Sequence, residues 1–226
     1  MHIIQNQHKI ADADTFSMFG FPGAGKETVT TPLIDALDDA GVRTNIMEVG
    51  AIVRGHIQQL TEFGRYVKTL PKGTLVPDDR IIPVIEEGIA ELDLDTTWFF
   101  DGFPRSMAQV PAYEQAIERH ERNDLMIHLQ LDPDPKIERE ISEDRMRMRG
   151  EAAVAAGKKP REDDASPEAR KKRLEESIVL YDVAARLREK GKLIVVDASR
   201  AKDVVRGEIY DLFQLHQQVR RTKVSA

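Results

Sequence analysis

The sequence predicts an α/β fold with a mainly parallel sheet. Short apolar runs alternate with segments of helical spacing along the chain, the pattern of strands joined by helical crossovers. The first apolar run feeds straight into a glycine loop, GFPGAGKET at 20–28, and a helical segment follows. Neither an internal repeat nor a low-complexity linker interrupts the pattern, so a single domain over 1–226 is expected.

TFSMFG (15–20) reads as the first strand. Lys26 to about Ala40 has helical spacing, with Val29, Leu33, Ile34 and Leu37 on one face. RTNIMEV (43–49) is a second strand, followed by two short helices in GAIVRGHIQQL and TEFGRYVKTL and by the turn PKGTLVPDD. DRIIPVIEEGIAEL reads as a helix and TTWFFDGF (96–103) as a buried strand. Ser106 to about Glu121 is predicted helical, LMIHLQL (125–131) a strand, and Asp134 to Arg149 a helix. A polar stretch, GEAAVAAGKKPREDDAS, then precedes one long helix from Pro167 to about Lys190. LIVVDAS (193–199) is the last strand and Asp203 to Arg220 the last helix. Segments 44–77 and 145–165 least resemble the core and read as insertions.

The 226 residues are 41% hydrophobic and 32% charged, which suits a soluble globular chain. No apolar run approaches the ~20 residues that span a bilayer, so no membrane partner is expected. The first 14 residues lack the parts of a secretory signal, and a cytoplasmic location is expected. With no cysteine, disulfides and thiolate zinc sites are excluded. A net charge of −6 argues against sequence-independent nucleic-acid binding. Yet Arg145 to Glu175 holds ten Arg/Lys against six Asp/Glu. That stretch reads either as a solvated basic face or as a focused site for an anionic ligand.

Two motifs carry chemistry. Gly20, Gly23, Gly25 and Lys26 have the spacing G-x-x-x-x-G-K of a phosphate-cradling loop. Glycines let backbone N–H groups close round phosphate oxygens, at a helix N-terminus whose dipole favours anions. Lys26 adds a mobile positive charge. Glu27 stands where Ser or Thr is usual, and the hydroxyl comes one residue later, at Thr28. The second motif is DGFPRSMAQ, Asp101 to Gln109, after an apolar strand. Open α/β sheets bind ligands at that end of a strand. Asp101 there can order the water shell of Mg²⁺, and Arg105 offers a planar fork of donors for a phosphate.

Taken together, GFPGAGKET, Arg54 after the second strand, KGTLVPD, DGFPRSMAQ, RMRMR and REDD…KKRL resemble the adenylate kinases and related nucleoside monophosphate kinases. The resemblance runs in order from about Thr15 to about Phe213. It implies a phosphate-loop kinase: a five-stranded parallel sheet flanked by helices, an NMP-binding insertion at 44–77 and a short lid at 145–165. It implies reversible phosphoryl transfer from Mg²⁺-ATP to AMP by a monomer. By matching positions, Gly20, Pro22, Gly23, Ala24, Gly25, Lys26, Glu27 and Thr28 would bind ATP, with Arg145, Arg149 and Arg200. Val49, Gly50, Arg54, Gly73, Thr74, Leu75, Val76, Gly102, Arg105 and Gln109 would bind AMP. Arg161 and Arg173 would swing in round the transferring group, and Asp163 and Asp164 would hold the lid arginines on closure. Lys26, Asp101, Arg105, Arg145, Arg149, Arg161 and Arg173 form the implied catalytic set. Thr28 and Asp101 would meet Mg²⁺ through water. Some relatives carry a longer lid with four zinc-binding cysteines; this chain has none, so no zinc is expected.

Three departures keep alternatives open. Glu27 replaces the family's glycine, Val49 replaces a threonine that would bond the acceptor base, and Ala51 replaces an acid. Gln109 favours adenine, since an amide can both donate to and accept from its edge. Val49 leaves UMP or CMP open as acceptors. All three departures together leave open a catalytically weak nucleotide-binding regulator.

Overall fold

The computed structural model describes residues 13–71 and 74–224. Five strands form one parallel sheet: β1 (Thr15–Gly20), β2 (Thr44–Glu48), β3 (Thr97–Asp101), β4 (Asp124–Gln130) and β5 (Leu193–Asp197). Their order is β2-β3-β1-β4-β5, so β1 lies at the centre, paired with β3 and β4. The chain's first strand therefore delivers the glycine loop to the middle of the sheet's carboxyl edge. β2 pairs with β3 from Thr44↔Thr97 to Glu48↔Asp101, which places residues 44–48 within the sheet.

Both sheet faces are covered, as parallel sheets require. Phe16, Met18, Phe99, Ile127 and Val196 point to one face, under α1 (Lys26–Asp39) and α9 (Lys202–Val224). The other face carries Phe19, Trp98, Phe100 and Met126. It packs against Ile81 and Ile85 of α4 (Asp78–Ala90), Tyr113 of α5 (Val110–Arg119), and Val183 and Leu187 of α8 (Leu180–Glu189). At the opposite edge from the glycine loop, Arg122 donates to Thr15 Oγ1 and to the carbonyls of Leu94, Asp14 and Thr96. Its guanidinium also lies 4.5 Å from the Trp98 ring centroid, so one cation ties the starts of β1 and β3 together.

The remaining helices are α2 (Val49–Gln59), α3 (Glu62–Thr69), α6 (Pro135–Ala155) and α7 (Pro167–Ser177). Three boundaries differ from the sequence expectation. Residues 106–109 form turns, and α5 starts only at Val110, next to Pro111. α6 continues past Arg149 to Ala155, because EAAVAA is rich in the best helix former. It stops at Gly157 (φ 69), where Lys158 N donates to Ala153 O and Gly157 N to Val154 O. The expected long helix from Pro167 divides into α7 and α8. Ser177 Oγ bonds back to Arg173 O at 2.8 Å, which bends helices, and β-branched Ile178 and Val179 follow.

His128 on β4 is 1% exposed and stacks on Phe19 with centroids 4.8 Å apart. Neither ring nitrogen has a hydrogen-bond partner. Burial, then the positive charges of Arg188 and Lys26, lower its pKa from 6.5 to about 4. The folded protein therefore holds this ring neutral. Below pH 6.5 the unfolded chain takes up a proton that the fold refuses until about pH 4. Stability is thus expected to fall as pH drops through that window. Melting temperatures against pH should show a shallower decline for His128→Leu; parallel curves would assign the decline to other groups.

Candidate active site

The loop after β1 is shaped by close approach. A Cβ on Gly20 would meet the Leu129 carbonyl oxygen at 2.5 Å. Gly23 has φ 77, and a Cβ there would lie 2.9 Å from Cβ of Arg145. α6 presses on the loop here: Ser142 Oγ donates to the Pro22 carbonyl, and Arg145 donates to Gly23 O at 3.2 Å and to Ser199 O at 3.3 Å. Gly25 (φ 94) forms the N-cap of α1, and no side chain caps that helix. Its first-turn N–H groups are thus available to an anion. Lys26 Nζ folds back onto the Gly20 carbonyl at 2.8 Å. Thr28 is exposed on the same turn.

β3 delivers the second motif beside the first. Gly102 (φ 80) turns the chain, its N–H bonded to Met18 O, and Ser17 Oγ of β1 donates to the Phe103 carbonyl. The Phe103–Pro104 bond is cis. Arg105 emerges there with Nε buried and without a hydrogen-bond partner, and no ion pair is found for it among the described residues. From α7, Arg173 also enters with a buried Nε lacking a hydrogen bond; Asp163 is 3.7 Å away.

These cations feel one another. Lys26 is lowered from 10.5 to about 7, first by burial, then by Arg105; Asp101 opposes this, while Arg173 and Arg149 add to it. Arg105 is lowered to about 9 by burial and then by Arg173. Arg173 is lowered by burial; Asp163 and Glu176 oppose this, and Arg149 adds to it. Arg170 donates to the Asp164 carbonyl at 3.1 Å, and its Nε too is buried without a hydrogen-bond partner. Asp101, at the end of β3, is raised mainly by burial; Lys26 opposes this and the Glu48 carboxylate adds to it.

The other expected arginines rest on carboxylates. Arg149 makes two 2.7 Å bonds to Asp164, whose side chain is 1% exposed. Gly150 lets Asp164 this close: a Cβ there would be 3.2 Å from the Asp164 carbonyl oxygen. Arg161 pairs with Glu27, and Arg54 bonds Glu48 Oε1 at 2.6 Å. Arg147 points away and pairs with Asp144 and Glu151, a solvated helix face.

Some expected site residues are placed otherwise. Gln109 is 6% exposed and both ends of its amide are used: Oε1 accepts from Arg105 N at 2.8 Å, and Nε2 donates to Asp78 Oδ1 at 2.7 Å. Ser106 bonds the other oxygen of Asp78. Here Gln109 braces the backbone of Arg105 rather than offering its amide outward. Arg200 turns to α9, bonding Glu208 and the Asp197 carbonyl. Gly73 lies outside the described residues. Thr74 and Leu75 are held by Lys172 and Glu176 of α7, Leu75 N donating to Glu176 at 2.8 Å, while Val76 packs against the core. Val49 packs there too, and Gly50 lies against the Arg54 guanidinium.

Sequence reasoning did not foresee Asp78, Glu48, Ser142 or Glu176 as partners. Only Glu48 left a signal, as an acid six residues before Arg54.

Thr28 and Asp101 offer a hydroxyl and a carboxylate, oxygen donors that suit Mg²⁺, which takes oxygen ligands and keeps most of its waters. Among the described residues no three His, Cys, Asp or Glu side chains gather as a metal site. No described helix is long and apolar enough to cross a membrane.

Residues 18–185 match the family model described as adenylate kinase. The adenylate kinase of Cyanothece sp. (strain PCC 7425) is 32% identical over 85% of this chain and 91% of its own length. That of Deinococcus radiodurans is 33% identical over 82% and 89%, and that of Methanosarcina acetivorans 29% identical over 83% and 93%.

A phosphate beside Lys26 should restore its charge. Binding of a nucleoside triphosphate is therefore expected to take up roughly half a proton at pH 7 and to weaken as pH rises through about 7. Calorimetry in two buffers of different ionisation enthalpy measures this uptake. Lys26→Gln should abolish it; unchanged uptake would assign the proton elsewhere.

Proposed function

The chain belongs to the adenylate kinase family, enzymes that transfer phosphoryl groups between nucleotides, and on that premise we propose that it converts Mg²⁺-ATP and AMP to two ADP. One observation carries this reading. Lys26, Arg105 and Arg173 are buried cations, and the Nε atoms of Arg105 and Arg173 are buried without a hydrogen-bond partner; burial depresses all three, and a neighbouring arginine adds to this for Lys26 and Arg105. A bound anion would offset that cost, and two phosphorylated nucleotides meeting head to head would supply it.

Phosphoryl transfer asks a protein mainly to position groups and stabilise charge. Lys26 and the loop amides would take the donor's β- and γ-phosphates. Arg105, braced through Gln109 and Asp78, would hold the acceptor phosphate, and Arg54 would leave Glu48 to join it. Arg173, 16% exposed, would face the transferring group from α7. Thr28 and Asp101 would hold the waters of Mg²⁺, which, when bound, neutralises charge on the donor's phosphates. Residues 44–77, whose first five residues lie in β2, would serve as the NMP-binding insertion and 145–165 as the short lid, in which the Arg149–Asp164 pair ties the loop to α6.

A second reading concerns the acceptor base. Gln109 already spends its amide on Arg105 and Asp78, and Val49 has no hydroxyl to offer. Both observations favour a site that reads the base loosely enough to accept UMP or CMP beside AMP.

Turnover of Mg²⁺-ATP with AMP, UMP or CMP as sole acceptor, followed by coupled detection of ADP, should give the highest kcat/KM with AMP. A pyrimidine nucleotide in first place would overturn the adenylate assignment. Arg105→Ala should lower kcat by roughly 10²-fold or more, the scale of a lost transition-state charge contact. Near-full turnover in that variant would remove Arg105 from the acceptor phosphate.

A further inference from the structure

Glu27 is a carboxylate inside a loop built for phosphate. Its place in the first turn of α1 suits the helix dipole, which favours an acid there. The dipole does not explain its partner. The Glu27 side chain reaches Arg161, 134 residues away in the 156–166 loop, and the two form an ion pair. That loop is anchored three residues further on, where buried Asp164 holds Arg149 at 2.7 Å and Asp164 N bonds Arg161 O at 3.0 Å. Arg161 therefore extends from a fixed turn across the mouth of the phosphate loop.

Both side chains are well exposed, at 53% and 75%, so the pair adds little to folding. Its effect falls on the site. An unpaired acid at this point would repel an incoming phosphate. Arg161 cancels that charge, and in doing so stands beside the loop that phosphates must enter. We propose that Glu27 is the resting counter-ion of Arg161: it holds this arginine at the phosphate loop until the donor's phosphates take its place. The proposal rests on the reading that the loop binds the donor nucleotide, and it makes Glu27 a positioning residue that acts through Arg161.

Two consequences follow. Without nucleotide, the 156–163 segment is drawn toward α1. With nucleotide, the donor must displace a carboxylate, which weakens its binding while leaving the chemical step alone. The chain has no cysteine, so labels can be placed cleanly at Lys159→Cys and Asp35→Cys, both exposed. In the nucleotide-free protein, spin-label distances between these sites should lengthen and broaden in Glu27→Gln, and 0.5 M salt should do the same to the unaltered chain. In turnover assays Glu27→Gln should lower KM for ATP by about 2–5-fold, the scale of an exposed ion pair, with kcat changed less than about 2-fold. Arg161→Gln should raise that KM, and adding Glu27→Gln should recover part of the loss. Distances or a KM for ATP that match the unaltered chain in Glu27→Gln would each overturn the proposal. The distance measurement needs neither nucleotide nor acceptor, so a failed acceptor assignment leaves it standing and is told apart.

Discussion

Burial of positive charge is the constraint on which the site depends. Lys26, Arg105 and Arg173 come from three distant segments, and each is disfavoured first by burial; Arg105 adds to this for Lys26 and Arg173 adds to it for Arg105, while Asp163 and Glu176 oppose it for Arg173. Such a cluster loses stability until an anion arrives, so the rest of the fold must hold it. The sheet does this by geometry: β1 and β3 are adjacent, and their registered carboxyl ends place the glycine loop beside Asp101 and Arg105. Ser17 of β1 bonds the Phe103 carbonyl, and Gln109 with Asp78 fixes the backbone of Arg105. The neutral bonds are spent on the backbone, and the Nε of Arg105 has no hydrogen-bond partner among the described residues.

The surrounding groups divide the cations. Lys26 and Arg145 rest on backbone carbonyls. Four arginines rest on carboxylates: Arg54 on Glu48, Arg161 on Glu27, Arg149 on Asp164 and Arg173 on Asp163. The first two pairs are exposed and easily exchanged for phosphate, while Asp164 is buried and its bidentate geometry resists exchange. The Arg149–Asp164 pair thus ties the turn at Asp164 to α6.

Most of the fold was legible in the sequence because it rests on local patterns. Apolar runs such as WFF and LMIHL announce buried parallel strands, and the glycine spacing at 20–26 fixes the first turn. The long helix after Pro167 was misread because periodicity does not register a hydroxyl bonding back to a carbonyl, as Ser177 does. α6 runs past Arg149 into the stretch read as polar, because its alanines favour helix; the stop is Gly157, while Gly150 admits Asp164. At the site, residue types were legible and their partners were not. Gln109 reads as a base-recognising amide until Asp78, 31 residues earlier, is found bonded to it. Pairings across such separations depend on tertiary approach, which a single sequence does not encode locally.

Gln109 also shows how one side chain can link two tasks. Its Oε1 fixes Arg105 N while Nε2 engages Asp78, in the first turn of α4. The segment leading into α4 carries Thr74, Leu75 and Val76, tied in turn to Lys172 and Glu176 on the helix that bears Arg173. Arg105, the 74–76 segment and the helix that bears Arg173 are therefore joined through one set of hydrogen bonds. A base that pulled Gln109 away from Asp78 would loosen Arg105 at the same time. Discrimination through that amide would cost the very positioning that turnover needs, so selectivity is better placed in the backbone and apolar groups of 74–76, where Val76 and Val49 shape the wall without disturbing those bonds.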